Sequence, residues 1–562
     1  MLSCQPFAQR LRASLLFAAA LAAGSATLTW ATPTQTDVGE ALRAIVAPDP
    51  AAVSAPSSGG ADRVLLERFY VERSYAPAWT EDGRPNGPAD EAVALLEHAG
   101  EQGLASSEYD ATGIAHELVD LRSGATPASA RELAVFDAKL TLALIRYTSH
   151  LAHGRIDPGS VYPDLQESAR RVDVVALIQR GLDSGRLTAE VESAAPQLPL
   201  YARLAQALAQ YRLLAAGAPL PLVPLPKAKV TPGAAFAGLP QLKQRLVAFG
   251  DLDPAALKRR DGTRYDGVLV DAVKRFQYRH GLTEDGVLGQ TTVDAMNRPV
   301  AERVRQIEMG MERVRWLPPL PSGRFLVVNI PEFQLLAFDH AGAPDRPLLA
   351  MPVIVGRAEK TPTPVFVAKV EYLDFSPYWN VPRSIAVKEL LPKLRADPGY
   401  LAREGMEIVG SGVRREVNAA TLSELERGAV RVRQRPGSRN ALGGVKFMFP
   451  NRHDVYLHST PSQKLFSRTR RDFSHGCIRV ADPVALSQFV LFDRPDWDAD
   501  RARAAMTLPQ PRRVNLKQPI PILIFYTTTV VDADGRIRFL PDVYDDDAKL
   551  AQALAVSRRT SH

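Results

Sequence analysis

At 562 residues the chain is too long for one hydrophobic core, because single domains usually hold about 100 to 200 residues, so three or more folded units are expected. Its 46% apolar content is that of a globular protein, and 69 Lys and Arg against 62 Asp and Glu leave a net charge of only +7. That excess is too small for this length to imply nucleic acid, while a polyanionic surface stays open as a partner.

The chain begins with Arg10 and Arg12 ahead of an apolar run from Leu15 to Ala23, closed by the small residues Gly24 and Ala26, which is the pattern of a secretory signal at 1–31. The run is shorter than the ~20 residues of a membrane span, so contact with a membrane is expected only through an uncleaved anchor. Cys4 precedes the run and would leave with the signal. Cys477 is then the lone cysteine, unable to form an internal disulfide and therefore either buried and inert or kept for chemistry.

Residues 32–61, rich in Ala, Pro and Ser, read as a flexible spacer. From 62 to 214, stretches such as "DEAVALLEHAGEQGL" and "LYARLAQALAQYRLL" space apolar residues three and four apart, which predicts a helical domain. A Pro-rich linker, 215–235, leads to a compact helical bundle at 236–298, with Leu242, Leu246, Val273 and Phe276 facing inward. At 324–498 the period changes. "RFLVVNIPEFQLLAF", "LLAMPVIVG" and "TPVFVAKVEYLDF" read as strands of a largely antiparallel sheet, with a helical insertion at 383–430. The remainder, 499–562, carries a strand pair joined at Asp534-Gly535 and a helix.

Within the sheet region lies "SHGCIRV", Ser474 to Val480. Cysteine attacks as thiolate, and a nearby histidine is the usual means of forming it. His458 ends the strand-like "DVYLH" and is expected to present its ring from the adjacent strand, as the base. His475, two residues before the sulfur, is better placed to shape the turn. Gly476 allows a close turn that frees its own N-H and that of Cys477 for an oxyanion, and Arg479 adds positive potential favouring thiolate and a carboxylated substrate. Zinc is the chemical rival, but the tight ligand pairs of zinc sites are missing, so no metal is expected.

"HSTPSQKLFSRTRRDFSHGCIRV" resembles the signature of the YkuD-type L,D-transpeptidase catalytic domain. "FSPYWNVPRSI", "RVRQRPGSRNALGGVKFMFPN" and "VYLHSTP" are similar to its large periplasmic members, "AVKRFQYRHGLTEDGVLGQTT" to a peptidoglycan-binding domain, and "RFYVERSYAPAW" to their scaffold domain. The resemblance implies a multidomain α+β protein: a mainly antiparallel β-sandwich catalytic domain with a helical capping subdomain, a small three-helix peptidoglycan-binding bundle and a helical scaffold.

It implies acylation of Cys477 by a peptidoglycan tetrapeptide stem, with His458 as base, loss of the terminal D-Ala, and transfer to the side-chain amine of another stem's diaminopimelate, giving a 3-3 cross-link without a cofactor. Ser474, His475 and Gly476 would support the turn and oxyanion, and Arg479, Tyr456, Trp379 and Asn440 would line the donor site. Carbapenem β-lactams would act as covalent inhibitors, and the place of work would be the periplasm. Hydrolysis of the same thioester, an L,D-carboxypeptidase, is the alternative, and a silent wall-binding protein a third.

Overall fold

The computed structural model describes residues 32–47, 58–124, 127–165, 170–258, 263–340, 346–411 and 413–560; the expected signal, 1–31, lies outside them. The stretch read as a flexible spacer holds a helix, Gln35–Val46. Thr34 and Asp37 cap it reciprocally, with Asp37 N-H donating to Thr34 Oγ1 at 3.2 Å and Thr34 N-H to the Asp37 carboxylate at 2.8 Å. Val38, Leu42 and Val46, four apart, bury one face against the long helix Ala130–His153. Its Ala- and Pro-rich surroundings hid this short period.

The helix Ala130–His153 is the axis of the N-terminal domain, with Leu133, Phe136, Leu140, Leu144 and Leu151 all buried. After the helix Pro199–Ala216, the Pro-rich segment does not swing free. Val223 exchanges backbone bonds with the Asn297 side chain at 2.9 and 2.8 Å, and Arg245 donates to the carbonyls of Leu220 and Pro221. The bundle beyond it has three helices, Leu239–Ala248, Val268–Arg279 and Gln290–Asn297, around its own core, which includes Leu242, Leu246, Val273 and Phe276.

The helix Val300–Arg315 packs on Pro199–Ala216 and joins the domains through buried charge. Glu312 pairs with Arg315 at 3.0 Å and accepts from the Arg155 N-H at 2.6 Å, while Arg313 reaches Asp547 of the C-terminal helix Asp546–Thr560. Removing one member would strand a buried charge, so this cluster fixes how the domains sit.

Outside the insertion, residues 325–525 form one nine-stranded sheet. Its strands are β1 Phe325–Asn329, β2 Gln334–Phe338, β3 Leu349–Gly356, β4 Phe366–Phe375, β5 Val445–Met448, β6 Leu457–His458, β7 Asp472–Ser474, β8 Ile478–Val480 and β9 Arg512–Phe525. The order is β7-β3-β8-β6-β5-β4-β9-β1-β2, and β2 pairs back onto β3, so the two faces of the expected sandwich belong to one sheet that closes on itself. β6/β8, β7/β3 and β9/β1 are parallel and the other pairs antiparallel. β9 lies between β4 and β1, so the sheet runs past residue 498 into the stretch read as a separate C-terminal segment. The pair expected around Asp534-Gly535 is Thr529–Val531 with Ile537–Phe539.

The insertion is a subdomain with its own core, including Leu390, Leu394, Ile408, Leu425 and Val432. Beyond its helices it holds a four-stranded sheet made by Trp379–Asn380, Met406–Gly410, Val413–Arg415 and Arg431–Gln434.

Candidate functional site

The floor of the site follows from ladder register. β6 and β8 run parallel with Leu457 opposite Ile478 and His458 opposite Arg479, and the Ile478 N-H donates to the Tyr456 carbonyl at 3.0 Å. Side chains two apart share a face of a strand, so Tyr456, His458, Cys477 and Arg479 form one patch. Lys446 of β5, directly opposite His458, joins it; its Nζ lies 4.7 Å from the centroid of the Tyr456 ring, and that ring meets the His458 ring edge-on at 5.8 Å. The sequence reading passed over Lys446, although a lysine on an otherwise apolar strand, in "GGVKFMF", was the available signal.

His458 is buried, and its Nδ1 lies 2.6 Å from the Ser459 carbonyl. A carbonyl only accepts, so the proton sits on Nδ1 and Nε2 keeps its lone pair. Burial, then the charge of Arg479, holds the imidazole down to about 3, so it is neutral at physiological pH. The Cys477 thiol is pushed above its usual value by burial; the Tyr456 backbone and hydroxyl and the charge of Lys446 pull the other way. The resting group is therefore a thiol, not the thiolate the neighbouring arginine suggested. Arg479 is itself lowered, by burial and then by the like charge of Arg357, and its buried Nε has no partner among the described residues.

The turn in front of the sulfur is tightly tied. Gly476 adopts φ +111°, a region that side-chain-bearing residues rarely enter. Ser474 Oγ donates to the Cys477 carbonyl at 2.5 Å and accepts from the Gly476 N-H at 3.1 Å. Gly476 thus spends the N-H expected for an oxyanion, and among the described residues the Cys477 N-H has no acceptor. Thr361 and Thr363 close the other side, their hydroxyls donating to the carbonyls of Ser474 and Gly476 at 3.1 and 2.7 Å.

Beside Cys477 opens a cavity of about 230 Å3, lined by Thr361, Pro364, His453, Asp454, His475 and Gly476, among others. The sulfur lies 3.6 Å from the Asp454 carbonyl, and Asp454 adopts φ +54°. His475 is half-exposed there, its Nε2 2.7 Å from Glu389 of the capping insertion. His453 stands across from it, 2.7 Å from Asp164 of the N-terminal domain, which also pairs with Arg452. Nothing in sequence spacing pointed to Glu389, His453 or Asp164, since all three arrive through tertiary contacts.

Two expected donor-site residues have structural partners of their own. Asn440 is buried, with Nδ2 donating to the carbonyls of Pro377 and Arg435 and Oδ1 accepting from Leu442, so its amide braces its own loop and ties it to the segment after β4. Trp379 pairs with Gln434 and packs on the insertion core. Among the described residues, no three His, Cys, Asp or Glu side chains gather as a metal-holding group.

Three family models match the chain: "Scaffold domain" at 64–208, "Putative peptidoglycan binding domain" at 237–296, and "L,D-transpeptidase catalytic domain" of the YkuD family at 323–522. A protein of Haemophilus influenzae named "Putative L,D-transpeptidase" is 29% identical over 252 residues, 44% of this chain and 49% of that protein. The chain thus spans about half the length of this curated relative. The third match ends inside β9, in agreement with the sheet order. The closed sheet that carries Cys477 thus lies in the region that matches the L,D-transpeptidase catalytic domain model, in one chain with regions that match a peptidoglycan-binding domain and a scaffold domain.

Proposed function

We propose that the protein is an L,D-transpeptidase that forms 3-3 cross-links between peptidoglycan stems through a Cys477 thioester. The observation that carries this reading is the neutral, buried His458, its Nδ1 committed to Ser459, on the same sheet face as Cys477. Nε2 of His458 takes the thiol proton as the sulfur attacks the carbonyl of the stem's third residue. The Cys477 N-H receives the developing oxyanion, and the imidazolium returns its proton to the departing D-Ala amine. The unpartnered Nε of Arg479, with Arg357 nearby, offers positive charge to the donor's carboxylates.

Aminolysis by a second stem yields the cross-link, whereas hydrolysis would yield a tripeptide and an L,D-carboxypeptidase. The peptidoglycan-binding domain fits a wall polymer as partner. On this reading the work is done in the cell envelope, with export by the N-terminal signal expected from the sequence. Among the described residues no helix is long and apolar enough to cross a membrane.

The test is mass spectrometry of disaccharide-tetrapeptides incubated with the wild type and with Cys477→Ala. Dimers lacking one D-Ala, formed only by the wild type, are the expected product. Tripeptide alone would make the enzyme a carboxypeptidase, and no change with either protein would remove the catalytic reading.

A further inference from the structure

The sulfur sits between two walls of opposite character. On the floor stand the cations Lys446 and Arg479, and the charge of Arg357 acts on Arg479. On the cavity side stand the Asp454 carboxylate and two histidines, each held at 2.7 Å by a carboxylate from another part of the chain. These two pairs are not equivalent. Asp164 is already met by Arg452, so its charge is answered, whereas among the described residues Glu389 has His475 as its one ionisable partner. Glu389 lies in a π-helical turn, Ala386–Leu390, an irregularity that often marks functional positions. None of these rim groups has a task in donor attack.

The proposed reaction brings two unlike partners to one thioester. The donor presents carboxylates, which suit the cationic floor. The acceptor presents a primary amine, which resembles a lysine and is therefore an ammonium at neutral pH until a base removes a proton. We infer that the cavity lined by His475, His453 and Asp454 is the subsite for the acceptor's ammonium group, with His475, oriented by Glu389 of the capping insertion, as the group that takes its proton. This rests on the transpeptidase reading and deepens it.

The chemistry balances. Nε2-H of His475 donates to Glu389, which leaves Nδ1 to accept; among the described residues Nδ1 has no protein partner. The ammonium gives one proton to Nδ1, and the Glu389 carboxylate stabilises the imidazolium until that proton passes to solvent. The free amine attacks the thioester carbon, the C–S bond breaks, the amide forms, and the second N–H proton goes to the departing sulfur, restoring the thiol. The capping insertion would thereby complete the acceptor half of the site and leave the donor half to the sheet. Glu389 acts as a positioning residue, and His475 is the group that meets the substrate.

The experiment uses the full chain with disaccharide-tetrapeptide as donor and acceptor, comparing wild type, Glu389→Gln and Glu389→Asp. D-Ala release and Cys477 acyl mass report acylation, and the ratio of cross-linked dimer to tripeptide reports the fate of the thioester. Expected for Glu389→Gln is a fall in that ratio on the order of tenfold, the scale of losing one charge-assisted contact, with a smaller loss in acylation and partial rescue by Glu389→Asp. Hydroxylamine, uncharged at neutral pH, should trap the thioester of both proteins at similar rates.

An unchanged ratio, or equal losses in acylation and aminolysis, would overturn the acceptor assignment while leaving the transpeptidase reading standing. A wild type that never acquires an acyl mass on Cys477 would instead bring down that underlying reading, and the subsite with it. Thermal unfolding of each variant separates a damaged fold from a damaged site.

Discussion

The floor of the site and its rim reach Cys477 by different routes. Tyr456, His458 and Arg479 lie within about 20 residues of the cysteine on paired strands, and hydrogen-bond register alone sets them on one face. The rim is brought in from afar: Asp164 is 289 residues before His453, and Glu389 is 86 residues before His475. The floor therefore stands as long as the sheet is intact, while the rim depends on how the N-terminal domain and the capping insertion are docked. The nucleophile's own chemistry is local, and under the acceptor assignment the choice of its second partner falls to elements distant in sequence.

The largest expected effects would break the floor. Cys477→Ala should abolish acylation by a carbapenem, read as the absence of an adduct in intact-mass spectra with circular dichroism unchanged. His458→Gln should slow acylation by about a hundredfold to ten-thousandfold, the usual contribution of a positioned general base. His475→Asn should slow it much less, and equal losses would erase the distinction between floor and rim.

Next in size is the turn between the two regions. Gly476→Ala places a side chain at φ +111°, at a cost of about 1 to 3 kcal/mol, and should lower both the melting temperature and the acylation rate. Retention of both would mean that the turn relaxes freely and that its geometry is not what presents the sulfur.

pH sharpens the same comparison. The folded-state value of His458, about 3, lies below its ordinary value of 6.5, so between these two the unfolded chain binds a proton that the native state does not. Stability should therefore fall as pH drops through this window, and His458→Gln should flatten that loss in denaturant titrations at several pH values. The acylation rate should show no acid limb near 6.5, because His458 remains neutral there. A limb with that midpoint would assign the base to an exposed imidazole.

The smallest effects belong to the distant supports. Asp164→Asn should weaken the hold on His453 and shift product partition by a few-fold, with carbapenem acylation nearly unaltered. Thr34→Ala removes a helix cap and should cost about 1 kcal/mol in unfolding of the N-terminal domain without touching either half-reaction.

What was legible in the sequence was what local rules determine. Alternation and β-branching marked β1 to β4, helical spacing marked the inward faces of Leu242, Leu246, Val273 and Phe276, and the pair of short apolar segments around His458 and Cys477 marked the neighbouring strands β6 and β8, with Cys477 just before β8. The helix Gln35–Val46 was within reach through Val38, Leu42 and Val46, but composition outweighed a period that short. Ring closure of the sheet, the central place of Arg512–Phe525 and the bonds that spend the Gly476 N-H and the Asn440 amide were decided only by tertiary structure. The same holds for charge. A sequence shows Arg479 near Cys477, but burial raises the thiol and lowers His458, and the fold adds Lys446 as a second cation acting on the sulfur, because desolvation depends on what the whole fold packs around each group.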